Sequence, residues 1–250
     1  MFNPDTFEVF DEVTVPRKKK RNRIKNQDVS HNTGLHLKSI LPLTDTQQEF
    51  FDSFDEFDNH ILIGSAGTGK TFLSIYFSLR EILLKNQQNK LLIIRSAASS
   101  RDIGFLPGNK TEKMKAFESP YYGIFTDLFG RGDAYDVLKN RKIVEFEPTS
   151  FMRGTTFNDT IIVVDEAQNL TWQELNTIAT RCGKNSRLIL AGDTKQCDLN
   201  GRKDGVSGLD KFLNVAPLIK SVYTTIFNRD DIVRSGFVKE FIIACEKKGY

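Results

Sequence analysis

Residues 64–71 read GSAGTGKT, and Gly64, Ser65, Ala66, Gly67, Thr68, Gly69, Lys70 and Thr71 satisfy the spacing GxxxxGK[ST]. The chemistry this spacing serves is phosphate binding. Glycines let the backbone curl so that successive N–H groups converge on phosphate oxygens, and a helix starting just after them adds the positive end of its dipole. Lys70 is placed to reach the β and γ phosphates, and Thr71 to offer its hydroxyl to Mg²⁺. A second constellation follows at residues 161–166, IIVVDE, where an apolar run ends in Asp165 and Glu166. Carboxylates at the carboxyl end of a buried parallel strand face the crevice where open α/β sheets bind ligands. Asp165 is assigned to the Mg²⁺ shell, and Glu166 to orienting and polarising an attacking water. Residues 191–196, AGDTKQ, end another apolar run and bring Asp193 and Gln196 toward the same crevice, as sensors of the γ-phosphate or of that water.

Other chemistries find less support. Nothing after residue 71 reads as a guanine-selecting NKxD, and position 168, where a DxxG glycine would stand after Asp165, is Gln168, which disfavours a GTPase. Cys182, Cys197 and Cys245 are widely spaced and form no CxxC pair, so neither a disulfide framework nor a structural zinc site is expected. His31, His36 and His60 do not share metal-ligand spacing with them. The apolar runs, such as 91–94 and 161–164, fall far below the roughly 18 residues of a membrane span, and no signal-peptide core opens the chain. A cytoplasmic protein is expected.

A frame must hold these residues together. With 250 residues the chain can bury one substantial core, with little room for two. Residues 1–40 are polar and charge-blocked and are expected to form a mostly unstructured extension, leaving 41–250 as one domain. Within the extension, Arg17, Lys18, Lys19, Lys20, Arg21, Arg23 and Lys25 place seven positive charges in nine residues, so that against a net charge of +3 the remainder is net acidic. Such a run reads as a solvated arm, a phosphate contact or an import signal.

From residue 41 onward helical and strand patterns alternate. Helices are predicted at 47–57, 70–84, 171–181 and 230–247, and strands at 60–63, 91–94, 143–146, 161–164, 188–190 and 221–227. The fold class is α/β: a mostly parallel sheet flanked by helices. Residues 109–132, rich in Gly and Pro, break the rhythm and predict an insertion or surface loop with a short helix. Its aromatics Phe117, Tyr121, Tyr122, Phe125 and Phe129 suit either a packing cluster or base stacking.

The chain resembles the PhoH family, phosphate-starvation-inducible ATPase-like proteins, in a short version of the kind found in phages. The resemblance covers residues 41–246 and rests on TDTQ (44–47), GSAGTGKT, GFLPG (104–108), FMRG (151–154), DEAQN (165–169), GDTKQ (192–196) and DIVR (231–234). Ser96 stands where the family pattern leads one to expect proline after Arg95. DEAQ is the pattern of helicase-like ATPases, and the resemblance implies a RecA-like P-loop core similar to the first motor domain of superfamily 1 helicases. It implies that Gln47 reads adenine and that Arg234, at the start of the last helix, contacts the γ-phosphate in its own subunit or a neighbour. ATP and Mg²⁺ are the implied cofactors, with RNA or single-stranded DNA as partner and a homo-oligomer, on the pattern of a hexameric ring. Two further readings stay open: an ATP-dependent switch with negligible turnover, and a small-molecule kinase.

Overall fold

The computed structural model describes residues 33–96, 110–149, 156–194 and 207–248. The basic run 17–25, the GFLPG and FMRG segments and Gln196 lie outside the described residues. Six parallel strands form one sheet: β1 (Asn59–Ile63), β2 (Lys90–Arg95), β3 (Val144–Pro148), β4 (Thr160–Asp165), β5 (Arg187–Gly192) and β6 (Val222–Ile226). Their order is β3-β2-β4-β5-β1-β6. β5 therefore separates β1, which leads into the GSAGTGKT loop, from β4, which ends at Asp165, so all three strand ends meet at one edge. This is the RecA-like P-loop NTPase arrangement.

The inner strands β1, β2, β4 and β5 carry unbroken apolar runs because both faces of the sheet are covered there, whereas the edge strands β3 and β6 carry polar residues and are only partly buried. Period-two alternation divides the strand side chains between two cores. Leu62, Leu91, Ile93, Ile161, Val163 and Ile189 face one core with Phe50, Phe54, Leu73 and Phe77. Ile61, Leu92, Ile94, Ile162, Val164 and Leu190 face the other with Leu175, Ile178, Leu209 and Phe212. The first core is closed by α1 (Asp45–Phe54), α2 (Lys70–Leu79), α3 (Lys110–Phe129) and α4 (Ala134–Asn140), the second by α5 (Trp172–Ala179) and α6 (Gly208–Val215). Each fully buried aliphatic or aromatic side chain contributes about 1.5–3 kcal/mol.

Local signals fix the helix ends. Thr44 caps α1 by accepting from the Gln47 N–H at 3.2 Å. At the other end of α1 no basic residue lies in the last turn, and Arg187 of β5 supplies the missing donors. Its guanidinium donates to the carbonyls of Phe54 (2.7 Å), Phe57 (2.7 Å) and Asp58 (2.9 Å) and lies over the Phe54 ring. Thr171 and Glu174 close a capping box at the start of α5. After α2 the helix continues as one π-helical stretch, Arg80–Leu84, matching the predicted end at 84.

Three expectations are corrected. Residues 33–40, expected to belong to an unstructured extension, pack on the first core: Leu37 is buried in it and the Lys38 N–H donates to the Leu128 carbonyl at 2.9 Å. Residues 110–129 are a 20-residue helix rather than a loop with a short helix, followed by α4. Pro120 sits inside α3, where it removes one backbone donor without ending the helix, because Tyr121, Phe125, Leu128 and Phe129 bury one stripe in the first core. The last helix, α7, spans Gly236–Lys248 rather than starting at 230; Arg229–Asp231 is a separate 3₁₀ turn, closed by a capping box of Asn228 and Asp231. Arg234 therefore lies in the bend before α7, and Val233 is not part of that helix.

Candidate nucleotide site

The phosphate loop leaves β1 at Ile63 and enters α2 at Lys70. The Gly64 N–H donates to the Gly192 carbonyl at 3.2 Å, joining the loop to the end of β5. A Cβ at Gly64 would collide with the Phe227 carbonyl oxygen. Gly67 and Gly69 have φ of +80° and +89°, the left-handed region that other residues enter at a cost. The Lys70 ammonium donates to the carbonyls of Gly64 (2.6 Å) and Ser65 (2.8 Å). The Thr68 hydroxyl also donates to the Ser65 carbonyl, at 3.0 Å. Burial lowers the Lys70 pKa, and Asp193, Glu166 and Asp165 push it back up.

At the end of β4 the Thr71 hydroxyl donates to Asp165 Oδ1 at 2.6 Å, joining residues 94 positions apart in sequence. Asp165 is buried and its Oδ2 accepts from the Tyr121 hydroxyl of α3 at 2.9 Å. Burial and the adjacent Asp165 carboxylate hold the Tyr121 pKa well above its usual value, so the phenol remains a donor. Glu166 follows in a left-handed conformation, φ 52° and ψ 46°, a strained backbone of the kind found at functional sites. One of its oxygens accepts from Gln168 Nε2 at 2.6 Å, and the other lies 3.9 Å from the Arg95 guanidinium at the end of β2. Gln168 is buried, and its carbonyl oxygen accepts from the Asp193 N–H at 3.0 Å, so one side chain links Glu166 to the turn after β5.

Gln47 is buried beside the loop, its oxygen accepting from the Leu43 N–H at 2.9 Å and its amide donating to the Thr68 carbonyl at 3.2 Å. Arg234 reaches the loop from the segment that follows β6. The Val233 N–H donates to the Gly67 carbonyl at 3.0 Å, and a Cβ on Gly67 would lie 2.7 Å from Arg234 Cγ.

Several of these residues line one cavity of about 860 Å³, within the range of small-molecule sites. Gln47, Ala66, Gly67, Gly69, Lys70 and Thr71 form its loop side. Asp165, Glu166, Asp193 and Arg234 also line it, and Ile40, Leu41, Phe72 and Ile124 add apolar lining. With the Lys70 and Arg234 cations, the loop and apolar side chains on its walls, it can take an anionic group joined to a flat apolar one. The structure brings Gln47, Ala66, Gly67, Gly69, Lys70, Thr71, Asp165, Glu166, Asp193 and Arg234 to this cavity, while Gly64, Ser65 and Thr68 belong to the same loop without lining it. Tyr121, Gln168 and Arg95 were not assigned to it from sequence. Gln168 had a signal, since it lies inside DEAQ; Tyr121 had none beyond its membership of an aromatic group. Tyr121 and Phe125 are fully buried, which makes that group a packing cluster and not an exposed stacking surface.

Residues 39–246 match the family model described as PhoH-like protein. A PhoH-like protein of Synechocystis sp. is 32% identical over 202 residues, covering 80% of this chain and 60% of that protein. One of Bacillus subtilis is 34% identical over 214 residues, covering 84% of this chain and 65% of that protein. The protein PhoH of Escherichia coli is 30% identical over 207 residues, covering 82% and 58%. This chain spans about 60% of the length of the curated relatives it matches. Among solved structures, the large terminase of a thermophilic bacteriophage, in complex with ADP, superposes with a TM-score of 0.45 at 16% identity, covering 80% of this chain and 49% of that one.

Proposed function

This chain belongs to the PhoH-like family, and from that premise we propose that it is a Mg²⁺-dependent ATPase that acts with nucleic acid. The observation that carries the reading is the 2.6 Å contact between the Thr71 hydroxyl and Asp165, which sets the phosphate loop against an acidic strand end with Glu166 next to it. The residues suit Mg²⁺. Two hard oxygens converge at the cavity, and this ion is held by one or two protein oxygens together with substrate phosphates. Among the described residues no group of three or more His, Cys, Asp or Glu could hold a metal without such phosphates. When bound, the ion would neutralise charge on the β and γ phosphates.

The remaining roles belong to the protein. Lys70 exchanges its contacts with the Gly64 and Ser65 carbonyls for phosphate oxygens, Glu166 orients and polarises water, and Arg234 faces the γ-phosphate end over Gly67. Gln47 uses one donor and one acceptor on the protein, leaving one of each for the adenine edge, which offers the complementary pair. Asp193 and Gln196 sense the γ-phosphate. Nucleic acid is the proposed partner because DEAQ is shared with helicase-like ATPases and because residues 17–25 are strongly basic. The residues before 33 serve as an extension to a single ATPase domain, to which residues 33–40 belong through Leu37 in its core and Ile40 at its cavity. Among the described residues no helix is long and apolar enough to cross a membrane, and a cytoplasmic place fits this reading. This core would work as a homo-oligomer, on the pattern of a hexameric ring, with a neighbour completing its site in trans.

The test is ATP turnover with and without single-stranded RNA and DNA. The reading expects hydrolysis that rises with nucleic acid. Tight ATP binding with no turnover under either condition would instead make the protein a nucleotide-controlled switch.

A further inference from the structure

Helix α3 carries none of the motif residues, yet it meets the cavity at several points. The Tyr121 hydroxyl donates to Asp165 Oδ2, while Thr71 donates to Oδ1 of the same carboxylate. Gly123, Ile124 and Asp127, on the following turn and a half, line the cavity itself. Gly123 stands mid-helix, where glycine is a poor helix former, and a Cβ there would meet nothing within 4 Å. The Tyr121 ring is fully buried and packs beside Phe146 at 5.7 Å between centroids, so its hydroxyl is fixed in place by the core.

We propose that α3 is a wall of the nucleotide site and that Tyr121 is a positioning residue for Asp165, holding one carboxylate oxygen so that the other stays turned toward Thr71. The inference rests on the nucleotide-binding reading above. A carboxylate with one partner can rotate and present either oxygen; a second donor fixed by the core removes that freedom. Partners that orient a ligating carboxylate change metal affinity by about 10- to 100-fold when removed. Gly123, by lacking a side chain, keeps room beside that wall for the nucleotide.

The experiment is a titration of ADP and ATP affinity across Mg²⁺ concentrations and in chelator, on the full chain, with thermal melts alongside. Tyr121→Phe should leave affinity in chelator within about twofold of wild type, while the Mg²⁺-dependent gain in affinity should need roughly tenfold more Mg²⁺. Phe125→Leu, which loosens the same helix but keeps the hydroxyl, should not shift the Mg²⁺ dependence. An unchanged Mg²⁺ curve in Tyr121→Phe, or an equal shift in Phe125→Leu, would overturn the positioning role. Gly123→Leu tests the wall without risk to folding. It should raise the melting temperature, since leucine favours the helix, and weaken nucleotide binding about tenfold or more with or without Mg²⁺. Unchanged affinity in that variant would overturn the wall. A wild-type protein that binds no nucleotide would instead overturn the nucleotide reading, and this inference with it.

Discussion

At the residue scale the site holds groups that satisfy one another until a ligand replaces some of the contacts. Lys70 rests on two loop carbonyls, and Glu166 is held by Gln168 with Arg95 nearby. Lys70→Ala should therefore weaken ATP binding by about 1.5–3 kcal/mol, roughly 10- to 150-fold in Kd by calorimetry, the worth of hydrogen bonds to a charged partner. Gln168→Leu removes the link between Glu166 and the Asp193 N–H while leaving the phosphate loop untouched. Turnover should fall with little change in ATP affinity, and adding the substitution to Glu166→Gln should cause no further loss. Independent, additive losses in that double-mutant cycle would show that Gln168 does not act through Glu166.

At the element scale, stability depends on junctions that motif reading does not show. Arg187→Met removes the guanidinium donor from the carbonyls of Phe54, Phe57 and Asp58, at and just beyond the end of α1, and leaves Glu81, 3.7 Å away and buried, without one of its cationic neighbours. A loss of about 3 kcal/mol is expected, read as a lower denaturant midpoint at unchanged slope. An unchanged midpoint would show that the α1 terminus is held by other contacts. The four inner strands were legible from their short apolar runs, because a parallel sheet with both faces covered must write its strands that way, and the loop and acidic pair from their spacing; the edge strands β3 and β6 show a more mixed pattern. α3 was not legible. Pro120, Gly123 and Gly130 punctuate it, and only burial of its Tyr121, Phe125 and Phe129 stripe against the sheet outweighs those local signals. α6 went unassigned because its Leu209 and Phe212 make only a short pattern in eight residues, stabilised by packing on the second core. The Tyr121–Asp165 contact depends on where α3 docks, and no local spacing encodes it. Arg234 was found by resemblance, but its bend before α7 follows from the 3₁₀ turn at Arg229–Asp231 and the Val233–Gly67 hydrogen bond.

At the scale of the whole molecule, the net charge of +3 conceals an uneven distribution, with seven of the positive charges at residues 17–25. If those charges meet phosphates, deleting residues 1–28 should flatten the salt dependence of nucleic-acid binding, by about 0.7–0.9 in log–log slope for each phosphate no longer neutralised. An equal slope in the truncated protein would make the run a bystander. The crevice between β1, β5 and β4 is proposed to hydrolyse ATP with Glu166 as the water-orienting carboxylate. The most direct measurement is Mg²⁺-dependent phosphate release from ATP by wild type and Glu166→Gln, purified in parallel, with ATP affinity measured for both. Similar affinities are expected, with a turnover lower by about 10²–10⁴-fold in the variant, the range supplied by a positioned acid or base, if Glu166 has this role. Equal turnover in the two proteins would contradict it.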